Sequence, residues 1–307
     1  MSAYSRELPT TVGEALKVAV EILSRRMDLL QTGEVSMEAE VILAFSLSEE
    51  WSRMPTRSEL LMSVGKTINT RSAERTVRIA QSRADGKILQ HLLGFQTFLE
   101  HNYIVSPDVL VPRPETEILV DRLVLELKVM KEAPTQGLEI GLGSGAISVE
   151  LCSRFPYIKM AATERSSAAV FIAEENSERI LGSAWRDRLQ ILTVSEGEVF
   201  PPTIQGTLFD FLVSNPPYLK GPEEATEEVV RYEPAVALFA PKDDALFFYR
   251  KIAEGASALL KPQGIIAVEI PHERSQAILS LFQAAGWNSR IELDLTGRER
   301  VLIAKRA

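Results

Sequence analysis

The segment Asn215-Pro216-Pro217-Tyr218 has groups suited to holding a planar nitrogen compound. Its two prolines lack N–H donors and stiffen the loop, so carbonyl groups are left free to accept hydrogen bonds. The Asn215 amide adds an acceptor and two donors, and Tyr218 adds an aromatic face. Two acceptors that hold an NH₂ group can aim its nitrogen at an electrophile, and such alignment accelerates a reaction. The segment predicts group transfer to an amide or an exocyclic amine, with Asn215, Pro216 and Tyr218 as catalytic residues; a rigid turn without chemistry is the alternative.

A glycine-rich turn follows a short predicted strand and comprises Gly141, Leu142, Gly143, Ser144 and Gly145. Without side chains, a backbone can approach a nucleotide closely. Glu164 ends the next predicted strand, where a carboxylate can accept hydrogen bonds from ribose hydroxyls. Gly141, Gly143 and Ala146 also fit the dinucleotide pattern G-x-G-x-x-A. These residues predict a nucleoside-containing cofactor and leave NAD and S-adenosylmethionine both open; an NAD enzyme would give residues 215–218 no role.

Alternating strands and helices are predicted from about Glu115 onward, which indicates an α/β fold with a parallel sheet. Ligands of such sheets bind beyond the carboxyl ends of the strands, where both segments lie. A helix is expected at about 243–260. The predicted strands are 138–140, 158–164, 189–194, 208–214, 264–270, about 288–295 and 301–305.

The first 85 or so residues are predicted to be helical. Thr11 and Glu14 form a possible capping box for the first helix, a second helix follows Ser36, and Thr70 could cap a third over 71–84. Strand-forming residues between 88 and 114 predict a β-hairpin. We therefore expect a helical domain at 1–86, a β-hairpin linker at 87–114 and an α/β domain at 115–307.

Composition limits the partners. A net charge of −8 over 307 residues disfavours direct nucleic-acid binding, because phosphate contacts need a basic surface. No apolar run approaches the roughly 18 residues of a membrane span. Cys152 is the only cysteine, which fits a reducing, cytoplasmic location. The histidines lack metal-ligand spacing, and no metal is expected. We also expect a monomer.

Motifs spread over the whole chain resemble those of the bacterial peptide chain release factor glutamine methyltransferases, the HemK-type enzymes. Asn-Pro-Pro-Tyr alone also occurs in DNA and RNA adenine methyltransferases, so the combination gives the resemblance its specificity. Besides the glycine turn and Asn215–Tyr218, the matching motifs are Val111-Pro112-Arg113-Pro114-Glu115-Thr116-Glu117, Arg231-Tyr232-Glu233-Pro234, Gly297-Arg298-Glu299-Arg300-Val301, Glu38-Ala39-Glu40 and Leu92-Leu93-Gly94.

The resemblance implies a Rossmann-like class I S-adenosylmethionine methyltransferase sheet, with residues 1–86 as a substrate-binding helical bundle. It implies methyl transfer to the glutamine of the Gly-Gly-Gln motif of release factors, with S-adenosylhomocysteine as the other product. Glu164 would hold the ribose and Glu198 the adenine, with Glu196 as a competing assignment. The implied cofactor-binding residues are Gly141, Leu142, Gly143, Ser144, Gly145, Glu164, Glu198 and Asn215. The implied substrate-binding residues are Asn215, Pro216, Pro217, Tyr218, Arg113 and Glu115.

Some positions depart from the family pattern. Ile88 and His91 replace a usual proline and tyrosine, Glu139 and Glu164 replace aspartates, and Pro271 replaces a glycine. Four alternatives stay open: a glutamine methyltransferase of a ribosomal protein, a nucleic-acid adenine methyltransferase, an NAD-dependent oxidoreductase and a non-enzymatic binding module.

Overall fold

The backbone of the computed structural model, which describes residues 7–26, 32–130 and 132–306, divides into two units, Met1–Gly94 and Phe95–Ala307. The division falls inside the predicted linker 87–114. No helix within the described ranges is both long enough and apolar enough to span a bilayer.

The first unit is helical. Helices α1, α2 and α4 pack on one another around an apolar core that includes Val12, Leu43 and Leu60. The Arg83 guanidinium binds the Glu38 carboxylate at 2.7 and 2.9 Å across this unit. The helices are α1 Val12–Leu23, α2 Thr32–Leu47, α3 Arg57–Met62, α4 Thr70–Ala84 and α5 Leu89–Leu93.

The helix caps differ in part from the predicted ones. The Thr11 hydroxyl accepts from the backbone N–H of Glu14 at 3.2 Å, but the Glu14 carboxylate accepts from the N–H of Thr10 instead of Thr11. The predicted capping box is therefore only half formed. Asn69, whose side-chain Oδ1 accepts from the N–H of Ser72 at 2.8 Å, caps α4 in place of Thr70. Helix α2 begins at Thr32, ahead of the predicted start.

The second unit is α/β. It opens with a hairpin of β1 Phe95–Phe98 and β2 His101–Ile104. A seven-stranded sheet follows in the order β5-β4-β3-β6-β7-β9-β8. Strands β3 to β7 run parallel, and β9 pairs antiparallel with both β7 and β8. The elements are α6 Pro114–Lys128, β3 Gln136–Ile140, α7 Ala146–Arg154, β4 Lys159–Glu164, α8 Ser167–Leu181, β5 Leu189–Thr193, β6 Phe209–Ser214, α9 Glu227–Tyr232, α10 Ala235–Leu238, α11 Phe247–Gly255, β7 Leu260–Glu269, α12 Ser275–Ala284, β8 Trp287–Leu293 and β9 Glu299–Arg306.

This sheet has apolar side chains on both faces, because successive residues of a strand point to opposite sides. In β6, Phe211 and Val213 join one buried cluster, whereas Leu212 joins the other. Cys152 of α7 is buried in the first cluster, and burial raises the pKa of its thiol to about 11. The expected Rossmann-like α/β sheet is confirmed.

Two element boundaries near the carboxyl half are wrong in the prediction. Helix α11 begins at Phe247, not near Asp243, because Lys242 and Asp243 have φ angles of 57° and 55° that a right-handed helix excludes. Strand β7 begins at Leu260 rather than Gly264, since Leu260 already pairs with Phe209 of β6.

Candidate active site

A cavity of about 500 Å³ opens at the carboxyl ends of the parallel strands. Most predicted site residues line it: Gly141, Leu142, Gly143, Ser144, Glu164, Glu198, Asn215, Pro216 and Pro217. Four predicted residues do not: Gly145, Tyr218, Arg113 and Glu115. The two segments that suggested chemistry are therefore brought together by the end of β3 and the end of β6.

The glycine turn depends on left-handed backbone at three positions. Gly141, Gly143 and Gly145 have φ angles of 81°, 56° and 84°, which side-chain-bearing residues rarely adopt. A Cβ at Gly143 would have no protein atom within 4 Å, so this face of the turn is open. A Cβ at Gly145 would lie 3.3 Å from Ala173, so this glycine lets α7 approach α8.

The Glu164 carboxylate is fixed beside this turn. One oxygen accepts from the N–H of Gly143 at 2.9 Å, and the other accepts from the N–H groups of Arg165 and Ser166 at 2.7 and 2.8 Å. A carboxylate offers about four acceptor positions. The three backbone donors therefore orient Glu164 and leave it able to accept from a hydroxyl in the cavity.

A second carboxylate, Glu139 of β3, also lines the cavity. Its Oε2 accepts from the backbone and the hydroxyl of Ser148. Its Oε1 is buried without a hydrogen-bond partner among the described residues. Burial raises the pKa of Glu139 to about 8. In the ionised form of Glu139 this Oε1 is an unpartnered buried acceptor, which a cationic hydrogen-bond donor in the cavity would satisfy and stabilise.

The two candidates for adenine binding both line the cavity but differ in their contacts. The Glu198 carboxylate accepts from the N–H of Ser195 at 2.9 Å and so belongs to the loop after β5. The Glu196 side chain is 71% exposed and lies 3.5 Å from the Arg165 guanidinium. Glu198 is therefore held more closely against the cavity wall.

The Asn215 amide is anchored on one side only. Its Nδ2 donates to the Thr116 hydroxyl at 3.0 Å, and that hydroxyl donates to Oε2 of Glu269 at 2.7 Å. Glu269 ends β7 and is buried, and this burial raises its pKa to about 7. Sequence reasoning misses Thr116 and Glu269 as site residues, although a lone carboxylate ending an apolar strand is a signal for Glu269.

Tyr218 lies outside the cavity lining and is partly buried against the apolar cluster that includes Leu212 and Tyr249. Burial raises the pKa of its phenol to about 12. It therefore supports the loop from behind in this structure.

The segment Val111–Glu117 joins several of the motifs found in the sequence. Buried Glu233 accepts from the N–H of Val111 at 3.0 Å and pairs with the Arg113 guanidinium. Glu115 lies 3.5 Å from Arg300. In this structure both side chains have protein partners, and their expected substrate contacts stay predictions.

Comparison with known proteins identifies the family. The Methyltransferase small domain family matches residues 115–235. The release factor glutamine methyltransferase of Moorella thermoacetica is 35% identical, over 96% of this chain and 99% of its own length. That of Aquifex aeolicus is 32% identical, over 94% and 96%.

Among solved structures, the hMettl16 catalytic domain has a TM-score of 0.53 at 14% identity and covers 76% of this chain and 80% of its own. At that identity the likeness concerns the fold alone. The relatives span the two units together, and their names agree with the resemblance found in the motifs. The chain belongs to the release factor glutamine methyltransferases.

Proposed function

We propose that this protein transfers a methyl group from S-adenosylmethionine to the side-chain amide nitrogen of the glutamine in the Gly-Gly-Gln motif of peptide chain release factors. The observation that carries the proposal is the Asn215 amide, which lines the cavity and is tethered through its nitrogen. Its oxygen is left to accept a hydrogen bond, as a substrate NH₂ group requires. The 35% identity to a release factor glutamine methyltransferase over 96% of the chain supports the substrate class.

The residues present fit S-adenosylmethionine better than NAD. The open turn at Gly141 and Gly143 admits a ligand close to the backbone, and Glu164 retains acceptor capacity for a ribose hydroxyl. The unpartnered Oε1 of Glu139 suits a donor such as the ammonium group of an amino-acid moiety, which NAD lacks. Glu198 is assigned to the adenine. When bound, S-adenosylmethionine supplies an electrophilic methyl group on a sulfonium centre.

The chain's own residues orient the nucleophile. An amide nitrogen is a weak nucleophile because its lone pair is delocalised into the carbonyl. Asn215 Oδ1 and the Pro216 carbonyl accept the two NH₂ hydrogens and thereby direct the lone pair, which is a positioning effect. The nitrogen gains a methyl group and its surplus proton passes to solvent water, while S-adenosylhomocysteine is left as a neutral thioether. Pro217 and the partly buried Tyr218 keep this loop in place.

The remaining assignments concern recognition. We assign release factor binding to residues 1–86, where Leu61 and Met62 are 49% and 80% exposed, and to Arg113 and Glu115. We further expect a cytoplasmic monomer that binds neither nucleic acid nor membrane and uses no metal.

The test is direct. The protein is incubated with labelled S-adenosylmethionine and an unmodified release factor, and the methylated residue is mapped by mass spectrometry. The proposal expects one methyl group on the Gly-Gly-Gln glutamine and no label on a release factor in which that glutamine is alanine. In parallel incubations with ribosomes and with nucleic acid, label only on a ribosomal protein or on an adenine base would select one of the alternatives instead.

A further inference from the structure

Three side chains from distant parts of the chain form a continuous hydrogen-bonded relay behind the site. Asn215 follows β6, Thr116 lies in the first turn of α6, and Glu269 ends β7. The Asn215 Nδ2 to Thr116 Oγ1 distance is 3.0 Å, and the Thr116 Oγ1 to Glu269 Oε2 distance is 2.7 Å. Only Asn215 and Thr116 line the cavity. Glu269 therefore acts on the site through the other two.

When Glu269 is ionised, only one assignment of donors and acceptors along this relay is possible. A carboxylate can only accept, so the Thr116 hydroxyl must donate its single hydrogen to Glu269. The Thr116 oxygen then has only lone pairs left for Asn215. Of the two ends of the Asn215 amide, only the NH₂ end can satisfy such an acceptor. The amide oxygen is left on the other end, and no residue in the described ranges donates a hydrogen bond to it.

When Glu269 is protonated, a second assignment of donors and acceptors becomes possible. A carboxylic acid can donate to the Thr116 oxygen, and the Thr116 hydrogen is then free to point at Asn215. A hydroxyl donor favours the amide oxygen of Asn215 as its partner. Rotation of the amide by half a turn would place NH₂ where the substrate NH₂ must bind, and two donors cannot hydrogen-bond to each other.

We propose that Thr116 and Glu269 are positioning residues that set the polarity of the Asn215 amide, so that its oxygen faces the substrate. The inference rests on the proposed function, because it assumes that the substrate group is an NH₂. It predicts that turnover depends on the ionisation of a residue that touches neither substrate nor cofactor.

The charged and titratable groups around Glu269 come from each element packed against it. Burial is the largest influence and raises its pKa to about 7, the Thr116 hydrogen bond and the guanidinium groups lower it, and Glu115 raises it. These neighbours are Arg113, Glu115, Arg300, Tyr218 and Tyr249. Above this pKa most molecules have an ionised Glu269 and an Asn215 amide oxygen that faces the substrate, so turnover should rise as the pH rises through about 7.

The experiment measures kcat, KM for an unmodified release factor and S-adenosylmethionine affinity for the wild type, Thr116→Val, Thr116→Ser and Glu269→Gln between pH 5.5 and 8.5. Thr116→Val keeps the side-chain shape and removes the hydroxyl, and should lower kcat at pH 8.5 about tenfold, as loss of one hydrogen bond does. Thr116→Ser should restore most of kcat. In Glu269→Gln the amide can donate or accept, so the rise of kcat with pH should disappear.

Ser177→Ala is the matched control, because it removes a buried hydroxyl that donates to Ala173 O at 2.6 Å within α8, away from the cavity lining. It should leave kcat and its pH profile unchanged. Cofactor affinity should stay within twofold of wild type in Thr116→Val and Glu269→Gln. A general loss of packing would lower cofactor affinity as well, and that result would overturn the proposal.

The outcomes distinguish a failure of the Thr116–Glu269 relay from a failure of the proposed methyl transfer. Wild-type kcat in Thr116→Val, or an unchanged pH profile in Glu269→Gln, would overturn the relay and leave the methyltransferase assignment standing. No transfer by the wild type would overturn the proposed function and, with it, the role given to Asn215.

Discussion

The two ends of the cavity are built in different ways. The nucleoside end, residues 141–145 with Glu164, is held by backbone groups: Gly143 N–H reaches Glu164 over a separation of 21 residues. The amide end, residues 215–217 with Thr116, is held by side chains that are far apart in sequence. Thr116 is 99 residues from Asn215 and 153 from Glu269. Changes at the first end should act on cofactor affinity, and changes at the second on turnover.

The largest expected effect is at the amide end. Asn215→Ala removes the acceptor for the substrate NH₂ and leaves the glycine turn intact, so kcat on a release factor should fall roughly a hundredfold or more. Cofactor affinity, measured by calorimetry on the same preparation, should change far less. Asn288→Ala, at an exposed position of β8, is the control. Near-normal turnover in Asn215→Ala would contradict both the proposed orientation of the substrate amide by Asn215 and the assignment of turnover to this end of the cavity.

At the nucleoside end, Gly143→Val should weaken cofactor binding. A β-branched residue at a φ of 56° is strained, and its side chain would occupy the open face of the turn. Such strain costs about 1–3 kcal/mol of stability, and a branched side chain in the space that the ligand needs should lower S-adenosylmethionine affinity about tenfold or more. Gly182→Val is a matched control, since Gly182 has a φ of 82° and also faces open space, but lies outside the cavity lining. Equal loss of affinity in both variants would contradict a local role for Gly143.

Each end also contains a buried carboxyl group with a raised pKa, Glu139 at about 8 and Glu269 at about 7. A folded-state pKa above the unfolded value means that the native state binds more protons between the two. The free energy of unfolding should therefore fall as the pH rises from about 5 to 8. Glu139→Gln should reduce this fall by roughly 1 kcal/mol or more. Denaturant titrations at pH 5.5 and 8.5 measure the difference, and an identical pH dependence in the variant would argue against a raised pKa of the buried Glu139 carboxyl group.

The smallest expected effect distinguishes the two adenine candidates. Glu198→Gln should lower S-adenosylmethionine affinity by about threefold to tenfold, the value of one hydrogen bond. Glu196→Gln, at a side chain that is 71% exposed, should stay within about twofold. Calorimetry measures the S-adenosylmethionine affinity of the two variants. A larger loss of affinity in Glu196→Gln than in Glu198→Gln would assign adenine binding to Glu196.

The sequence predicts well what local patterns determine. Apolar runs that end in a glycine turn or in Asn-Pro-Pro place β3 and β6 within two residues of their observed bounds, and with them the cavity edge. It predicts less well what depends on single contacts. Asn69 and Thr70 are both good caps, and only the hydrogen bond to Ser72 selects Asn69. The short helices α3, α5, α9 and α10 have too few residues for a periodic pattern.

Sequence patterns do not predict which residues hold Asn215 at the amide end of the cavity. Thr116 and Glu269 meet because α6 packs on β7 and β9, and nothing adjacent in the chain marks either residue as a partner of Asn215. Gly145 shows the converse, since a glycine in the motif packs α7 against α8 instead of lining the cavity. A motif therefore indicates where a site lies more reliably than what each of its residues does.

The buried thiol of Cys152 is an intrinsic probe of transient unfolding of the α/β unit. Only the thiolate reacts with alkylating or disulfide reagents, and Cys152 is both 1% exposed and, with a pKa of about 11, almost fully protonated at neutral pH. Because it is the only cysteine, any modification reports on a single place in the core. Labelling at low reagent concentration follows the population of the open state, and at high concentration it follows the rate of opening. The stability of the α/β unit can thus be followed in dilute solution, without an added label.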